Sequence, residues 1–149
     1  MGGDAGQAGE IEAEDARAQY AALPFRHAGG GLEILLITSR ETKRWVIPKG
    51  WPMKRRTPPE TAAREAFQEA GVKGRIADAP VGTYRYFKRR MDGGYWLCEV
   101  EVFPLEVLSE SDSWREQAER ERWWCSVEEA AAAVEEPELK SLIQAFGTR

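Results

Sequence analysis

The sequence has few cysteines and histidines and no long apolar run. Cys98 and Cys125 are its only cysteines and His27 is its only histidine. This excludes a disulfide framework and Cys-x-x-Cys metal sites, and it favours a reducing compartment. No stretch approaches the roughly 18 apolar residues of a membrane span, and the N-terminus lacks the pattern of a secretory signal. We therefore expect a cytoplasmic protein with no membrane partner.

Net negative charge is confined to the first residues. The formal net charge of −4 is reached within residues 1–18, which carry five acids against Arg17 alone. We expect residues 1–17 to form a flexible acidic arm. Residues 18–149 have the length of a single domain. This domain is formally neutral, which does not favour nucleic acid as a partner.

The apolar pattern predicts strands interspersed with helices. Near-continuous apolar residues at 32–38 are typical of a strand buried on both faces, and further strands are expected at 19–26, 44–48, 81–90 and 95–107. Segment 109–122 is polar and is predicted to be a loop or a loose helix. Short helices are expected after Ser126 and from Pro137. The mixture predicts an α/β or α+β sandwich.

One helix is marked at both ends. Thr57 and Glu60 form a capping box around two prolines, and Gly71 follows the last helical residue, so a helix is predicted over 58–70. On this helix Glu65 and Glu69 share one face. Like charges at this spacing repel each other, and a divalent cation such as Mg²⁺ or Mn²⁺ between them would reverse that cost. A solvated acidic face is the plain alternative.

The surrounding residues carry a longer motif. Residues 50–72 read GWPMKRRTPPETAAREAFQEAGV. This segment resembles the Nudix box, G-x5-E-x7-R-E-U-x-E-E-x-G-U with U apolar, and its spacing has no gap. The matching positions are Gly50, Arg64, Glu65, Ala66, Glu69, Gly71 and Val72. The resemblance implies a Nudix-type α/β/α sandwich with a mixed central sheet and a loop-helix-loop that carries the active site.

Two positions depart from the box. Arg56 replaces its first glutamate, and Gln68 replaces the glutamate before Glu69. The resemblance implies a metal-dependent pyrophosphohydrolase that cleaves a phosphoanhydride bond in a diphosphate linked to a further group. The two departures keep open a second hypothesis, in which a Nudix-fold module binds nucleotides or polyphosphates without turnover.

The resemblance also implies roles for individual residues. Glu65 and Glu69 are the expected catalytic metal ligands, joined by Gln68 as a weaker ligand and by the backbone carbonyl of Lys49 or Gly50. Arg64 is expected to orient the glutamate that follows it. The general base is either Glu69 or an acid on a later loop, where the candidates are Glu116, Glu119 and Glu121.

Basic residues before and within the box indicate an anionic substrate. A ring of cations would suit a heavily phosphorylated small molecule, although a solvated surface is the plain alternative for each residue. The expected substrate-binding residues are Arg40, Lys49, Lys54 and Arg55. Within the family, the segments EILLITSR, RWVIPKG, QEAGVKG and WWCSVEEA resemble diphosphoinositol polyphosphate phosphohydrolases, which also act on dinucleoside polyphosphates. We expect a monomer or a homodimer.

Overall fold

A computed structural model describes residues 15–148. The predicted arm lies outside the described residues except for its last three, and Arg17 already belongs to the first strand. The elements in chain order are β1 (Arg17–Ala28), β2 (Gly31–Thr38), β3 (Trp45–Val46), β4 (Lys49–Gly50), α1 (Pro58–Ala70), β5 (Val72–Ile76), β6 (Gly82–Arg89), β7 (Tyr95–Glu110), β8 (Arg122–Ser126), α2 (Val127–Ala133) and α3 (Pro137–Gly147). A 3₁₀ turn at Gln117–Glu119 precedes β8.

All of these strands join one mixed sheet. Its central order is β3-β2-β1-β7-β5, with β4 paired to β1, β6 to β7 and β8 to β2. β1 runs parallel to β7 over Arg17–Phe25, and the other described pairs are antiparallel. The first strand therefore lies between β2 and a strand formed much later in the chain.

Helices cover the sheet on both faces. In β2, Ile34 and Leu36 pack toward α2 and α3, whereas Leu35 and Ile37 pack toward α1. This explains why the run at 32–38 is apolar at consecutive positions rather than at alternate ones. The predicted α/β/α sandwich is confirmed. No helix within residues 15–148 is long and apolar enough to cross a membrane.

The best-marked helix begins and ends where the sequence predicts. Thr57 and Glu60 complete the capping box, and Gly71 caps the C-terminus with a φ of 70°. Its sheet-facing side is a stripe of small residues, namely Ala62, Ala66 and Ala70, all fully buried. Thr61 and Glu69 are buried as well, so the side of the helix that carries the acid pair is not the solvated acidic face of the plain alternative. Other parts of the protein cover that side of the helix.

Three segments differ from the sequence-based expectation. β5 was not anticipated, because most of its residues are exposed and it pairs only with β7, which leaves no apolar signature. Lys49 and Gly50 lie beyond the strand expected at 44–48 and form the short strand β4 against β1. β7 continues to Glu110, so the connection to β8 is shorter than the predicted 109–122.

Candidate functional site

Two carboxylates meet on the cleft side of α1. Glu69 is only 7% exposed and Glu65 is half-buried. Burial raises the pKa of both carboxyl groups above the usual range, and a hydrogen bond between them raises the pKa of Glu69 further. A bound cation would stabilise the charged form of two neighbouring acids that both resist ionisation.

Gly50 allows this pair to approach the sheet. A Cβ atom at Gly50 would overlap the carboxylate of Glu65, with Cγ of Glu65 only 3.0 Å away. The neighbouring amide nitrogen of Lys49 donates to Oε1 of Glu69 at 3.3 Å. β4 therefore contacts both acids through its backbone, and the box needs glycine at position 50 for space.

The side chain of Lys49 lies beside the same acids. Its Nζ lies 4.9 Å from the ring centroid of Tyr86, whose hydroxyl donates to Oε1 of Gln19 at 2.7 Å. Burial lowers the pKa of the Lys49 ammonium, and the nearby carboxylate of Glu69 opposes this shift. A cation is thus held within the cleft instead of extending into bulk solvent.

The later loop supplies a third acid and a buried cation. Oε1 of Glu116 accepts a hydrogen bond from Nε of Arg120 at 2.8 Å and forms an ion pair with Nη2 of Arg120 at 2.7 Å. Nη2 of Arg120 also lies 3.5 Å from Oε1 of Glu69, and the Arg120 side chain is only 9% exposed. This guanidinium links the loop to the helix that carries the acid pair.

The loop is fastened to the C-terminal end of α1. The helix-end carbonyls accept hydrogen bonds that no further helical turn can supply. Trp114 Nε1 donates to the carbonyl of Glu69 at 3.0 Å, and the amide of Glu116 donates to the carbonyl of Gln68 at 3.1 Å. Arg122 donates to the carbonyl of Ala70 at 3.1 Å and lies over the Trp114 ring. The position of Glu116 is therefore set by the end of α1.

A cleft of about 520 Å³ is lined by the acid pair, by Glu116 and by Arg120. Besides the acids, six cationic side chains line it: Arg40, Arg44, Lys49, Lys88, Arg89 and Arg120. Arg44 is paired with Glu136 at 3.0 Å, and Arg40 lies 3.6 Å from Glu119. Lys88 and Arg89 make no ion pair with any residue in the described part of the chain. The cleft therefore contains both carboxylates and cations, and the unpaired Lys88 and Arg89 are available to bind an anion.

The structure brings some of the predicted site residues together and separates others. Arg40, Lys49, Gly50, Glu65, Glu69 and Glu116 line the cleft, whereas Lys54, Arg55, Arg64, Gln68, Glu119 and Glu121 do not. Arg64 is exposed and has no ion pair within residues 15–148. Of the three loop acids, Glu116 alone reaches the cleft.

Sequence reasoning missed Arg120 and did not place Lys88 and Arg89 in the site. The spacing of Glu116 and Arg120, four residues apart, is the ion-pair spacing of a helix and was a usable signal. The position of Lys88 and Arg89 depends on the pairing of β6 with β7 and of β7 with β1. No local pattern reveals that arrangement.

The donor set fits a hard divalent cation with few side-chain ligands. No group of three or more His, Cys, Asp or Glu side chains within residues 15–148 has the arrangement of a metal site. The two carboxylates provide hard oxygen donors, and Mg²⁺ commonly completes its shell with water and substrate phosphates. The overlap that a Cβ at Gly50 would cause with Glu65 shows that the Glu65 carboxylate fills the space left free by the glycine and lies directly against the β4 backbone.

Comparison with known proteins decides the family. A family model described as NUDIX domain matches residues 16–146. The chain belongs to the Nudix family. Nudix hydrolase 13, mitochondrial, of Arabidopsis thaliana is 34% identical over 123 residues, which cover 77% of this chain and 59% of that protein. This Nudix chain therefore spans less than two thirds of that relative's length.

Two further likenesses agree with the Nudix assignment. Diphosphoinositol polyphosphate phosphohydrolase 3-alpha of Mus musculus is 28% identical over 124 residues, covering 82% of this chain and 71% of the mouse protein. A solved structure of a C. elegans Ap4A hydrolase binary complex gives a TM-score of 0.67 at 20% identity, covering 89% of this chain and 96% of that one. The structural likeness shows a shared fold.

Proposed function

We propose that this Nudix protein is a metal-dependent pyrophosphohydrolase. Its proposed substrate is a diphosphate linked to a further group, such as a dinucleoside polyphosphate or a diphosphoinositol polyphosphate. The observation that carries the proposal is the pair Glu65 and Glu69, set against the backbone of Gly50 in a cleft lined by six cations. Relatives named as a diphosphoinositol polyphosphate phosphohydrolase and an Ap4A hydrolase support the choice of substrate class.

Mg²⁺ or Mn²⁺ is the proposed cofactor. Glu65, Glu69 and the backbone carbonyl of Lys49 or Gly50 would hold it, and Gln68, outside the cleft lining, would contribute at most weakly. When bound, the ion neutralises charge on the phosphate oxygens and favours ionisation of a water molecule. Both carboxyl groups lie close to the β4 backbone.

Glu116 is the proposed general base. It is the one loop acid of the three that lines the cleft with the acid pair. Its carboxylate would accept the proton of the attacking water, because a base must lie within reach of the proton that it abstracts. Glu69 is less suited to this role, because it is buried and its carboxyl group already contacts Glu65, the Lys49 amide and Arg120.

Lys49, Lys88 and Arg89 are the proposed partners of the substrate phosphates. Lys88 and Arg89 lack ion pairs with residues of the described range, so binding a phosphate disrupts no existing contact there. Arg40 would join them from the rim. Lys54 and Arg55, which the sequence predicts as substrate-binding residues, lie outside the cleft lining.

The alternative is a module that binds polyphosphates without cleaving them. The exposed position of Arg64, unpaired within residues 15–148, favours it, because the resemblance implies that this arginine orients Glu65.

A cytoplasmic location and a monomeric or dimeric state stay predictions. The names of plant relatives include mitochondrial and chloroplastic proteins.

A substrate panel separates the two functions. The panel contains dinucleoside polyphosphates, diphosphoinositol polyphosphates, nucleoside diphosphate sugars and nucleoside triphosphates, each with Mg²⁺ or Mn²⁺. We expect metal-dependent turnover that falls about 10²-fold or more in Glu65→Gln and in Glu69→Gln. Glu128→Gln, at an exposed position on α2, is the control and keeps full activity. Binding without turnover in every variant would instead identify a binding module.

A further inference from the structure

We propose that Arg120 is a positioning residue that acts through Glu116. The proposal rests on the hydrolytic function above and adds a residue that the box motif does not contain. Both contacts of Arg120 with Glu116, the hydrogen bond from Nε and the ion pair with Nη2, end on the same oxygen, Oε1. The guanidinium therefore holds one oxygen of the carboxylate and leaves the other one for the reaction.

The second oxygen of Glu116 is accessible. Oε2 has no hydrogen-bond partner within residues 15–148. The buried polar atoms that lack a partner lie in Thr61, Trp96 and Glu136. Oε2 of Glu116 is not one of them, so it is exposed to solvent. Since Glu116 lines the cleft, this oxygen can meet a water molecule there. An acid held by one oxygen and open at the other has the arrangement required of an oriented base.

Arg120 is itself fixed by a contact with the sheet. Its Nη1 donates to the carbonyl of Thr38 at 3.0 Å, at the end of β2. Thr38 in turn bonds Glu121 twice, because its amide donates to the Glu121 carbonyl at 3.2 Å and its hydroxyl accepts from the Glu121 amide at 2.9 Å. The guanidinium is therefore anchored to the sheet, and it transmits that fixed position to Glu116.

A cation is needed at this position because of the surrounding charge. Glu65, Glu69 and Glu116 line one cleft, and like charges within it repel each other. A charge-assisted hydrogen bond of 2.8 Å from Arg120 to Glu116 and an ion-pair contact of 2.7 Å between them oppose this repulsion. Every donor nitrogen of Arg120 already has a protein partner, so we expect this residue to affect the chemical step more than substrate affinity.

A double-mutant cycle on the full chain tests the role. We expect Glu116→Gln to lower kcat about 10²-fold and Arg120→Lys to lower kcat about tenfold, with KM within about threefold of the wild type. In the Glu116→Gln background, Arg120→Lys should lower kcat by less than about twofold, because a residue that acts through Glu116 has nothing left to position. Arg75→Lys, at an exposed ion pair with Glu106, is the matched control.

Three results would overturn the proposal. A tenfold loss from Arg120→Lys that persists in the Glu116→Gln background would show an independent role, and a raised KM with unchanged kcat would show a substrate contact. Full activity of Arg120→Gln would show no role at all. Thermal unfolding shows which variants fold. If Arg120→Gln does not fold, Arg120→Lys still tests the role, because it retains the positive charge. A wild type without metal-dependent turnover overturns the proposed function, whereas an additive cycle in an active enzyme overturns only the role of Arg120.

Discussion

Replacing Gly50 by alanine should displace Glu65 without unfolding the protein. The new Cβ would overlap the Glu65 carboxylate, which must move by roughly 1 Å or more before the contact becomes an ordinary one. A misplacement of about 1 Å costs a catalytic group up to about 10²-fold in rate. We therefore expect kcat/KM to fall about 10²-fold and Mn²⁺ to bind about tenfold more weakly, which is about 1.4 kcal/mol.

Stability should change little in this variant. The displaced atoms are the end of a half-buried, flexible side chain, and Gly50 does not have a positive φ. Alanine at such a position stabilises a fold by about 0.4–1 kcal/mol through the unfolded chain, which offsets the local displacement. Mn²⁺ titration calorimetry, steady-state kinetics and thermal unfolding measure the three quantities separately.

Gly31→Ala is the matched control for Gly50→Ala. Gly31 also lies at a strand residue with no positive φ, and a Cβ there meets nothing within 4 Å. It should leave kinetics and Mn²⁺ affinity unchanged. If Gly50→Ala keeps wild-type Mn²⁺ affinity and wild-type kcat/KM, the reasoning that places the metal between Glu65 and β4 is refuted.

Three more results are expected. Burial raises the pKa of Glu69. The contribution of Glu69 to the free energy of unfolding is therefore fully present below its pKa in the unfolded chain and is lost as pH rises through its pKa in the folded protein. In EDTA, thermal scans should show that the wild type loses more stability with rising pH than Glu69→Gln does. Neutralising Lys88 and Arg89 together should raise KM about tenfold for diphosphoinositol polyphosphates and less for nucleoside diphosphate sugars, and equal effects would contradict their role. Gln68→Glu should leave Mn²⁺ affinity within about twofold, because Gln68 does not line the cleft; clear tightening would place it at the metal.

The sequence was most informative where short-range rules apply. The boundaries of α1 follow from Thr57, Glu60 and Gly71, whose effects act within one or two turns. The i, i+4 spacing placed Glu65 and Glu69 on one side of the helix without any knowledge of the sheet. The alternating packing of β2 was likewise contained in its own apolar run.

Long-range contacts explain what the sequence did not reveal. Burial of Glu69 results from β4 and from a loop that follows some forty residues later, with Trp114 bonded to its carbonyl. Choosing Glu116 over Glu119 and Glu121 required the turn geometry of that loop. Arg120 makes contacts with Thr38 across 82 positions of the chain, and local periodicity carries no information about such pairs.

The central place of β1 constrains the order of events during synthesis. This strand is translated before the other described elements, and its parallel neighbour β7 is translated only after α1, β5 and β6. Until then one long edge of β1 has no partner, and unpaired strand edges favour association with other chains. Nascent chains halted before β7 should therefore be the most prone to aggregate, and a release just beyond Glu110 should allow the sheet to close around β1.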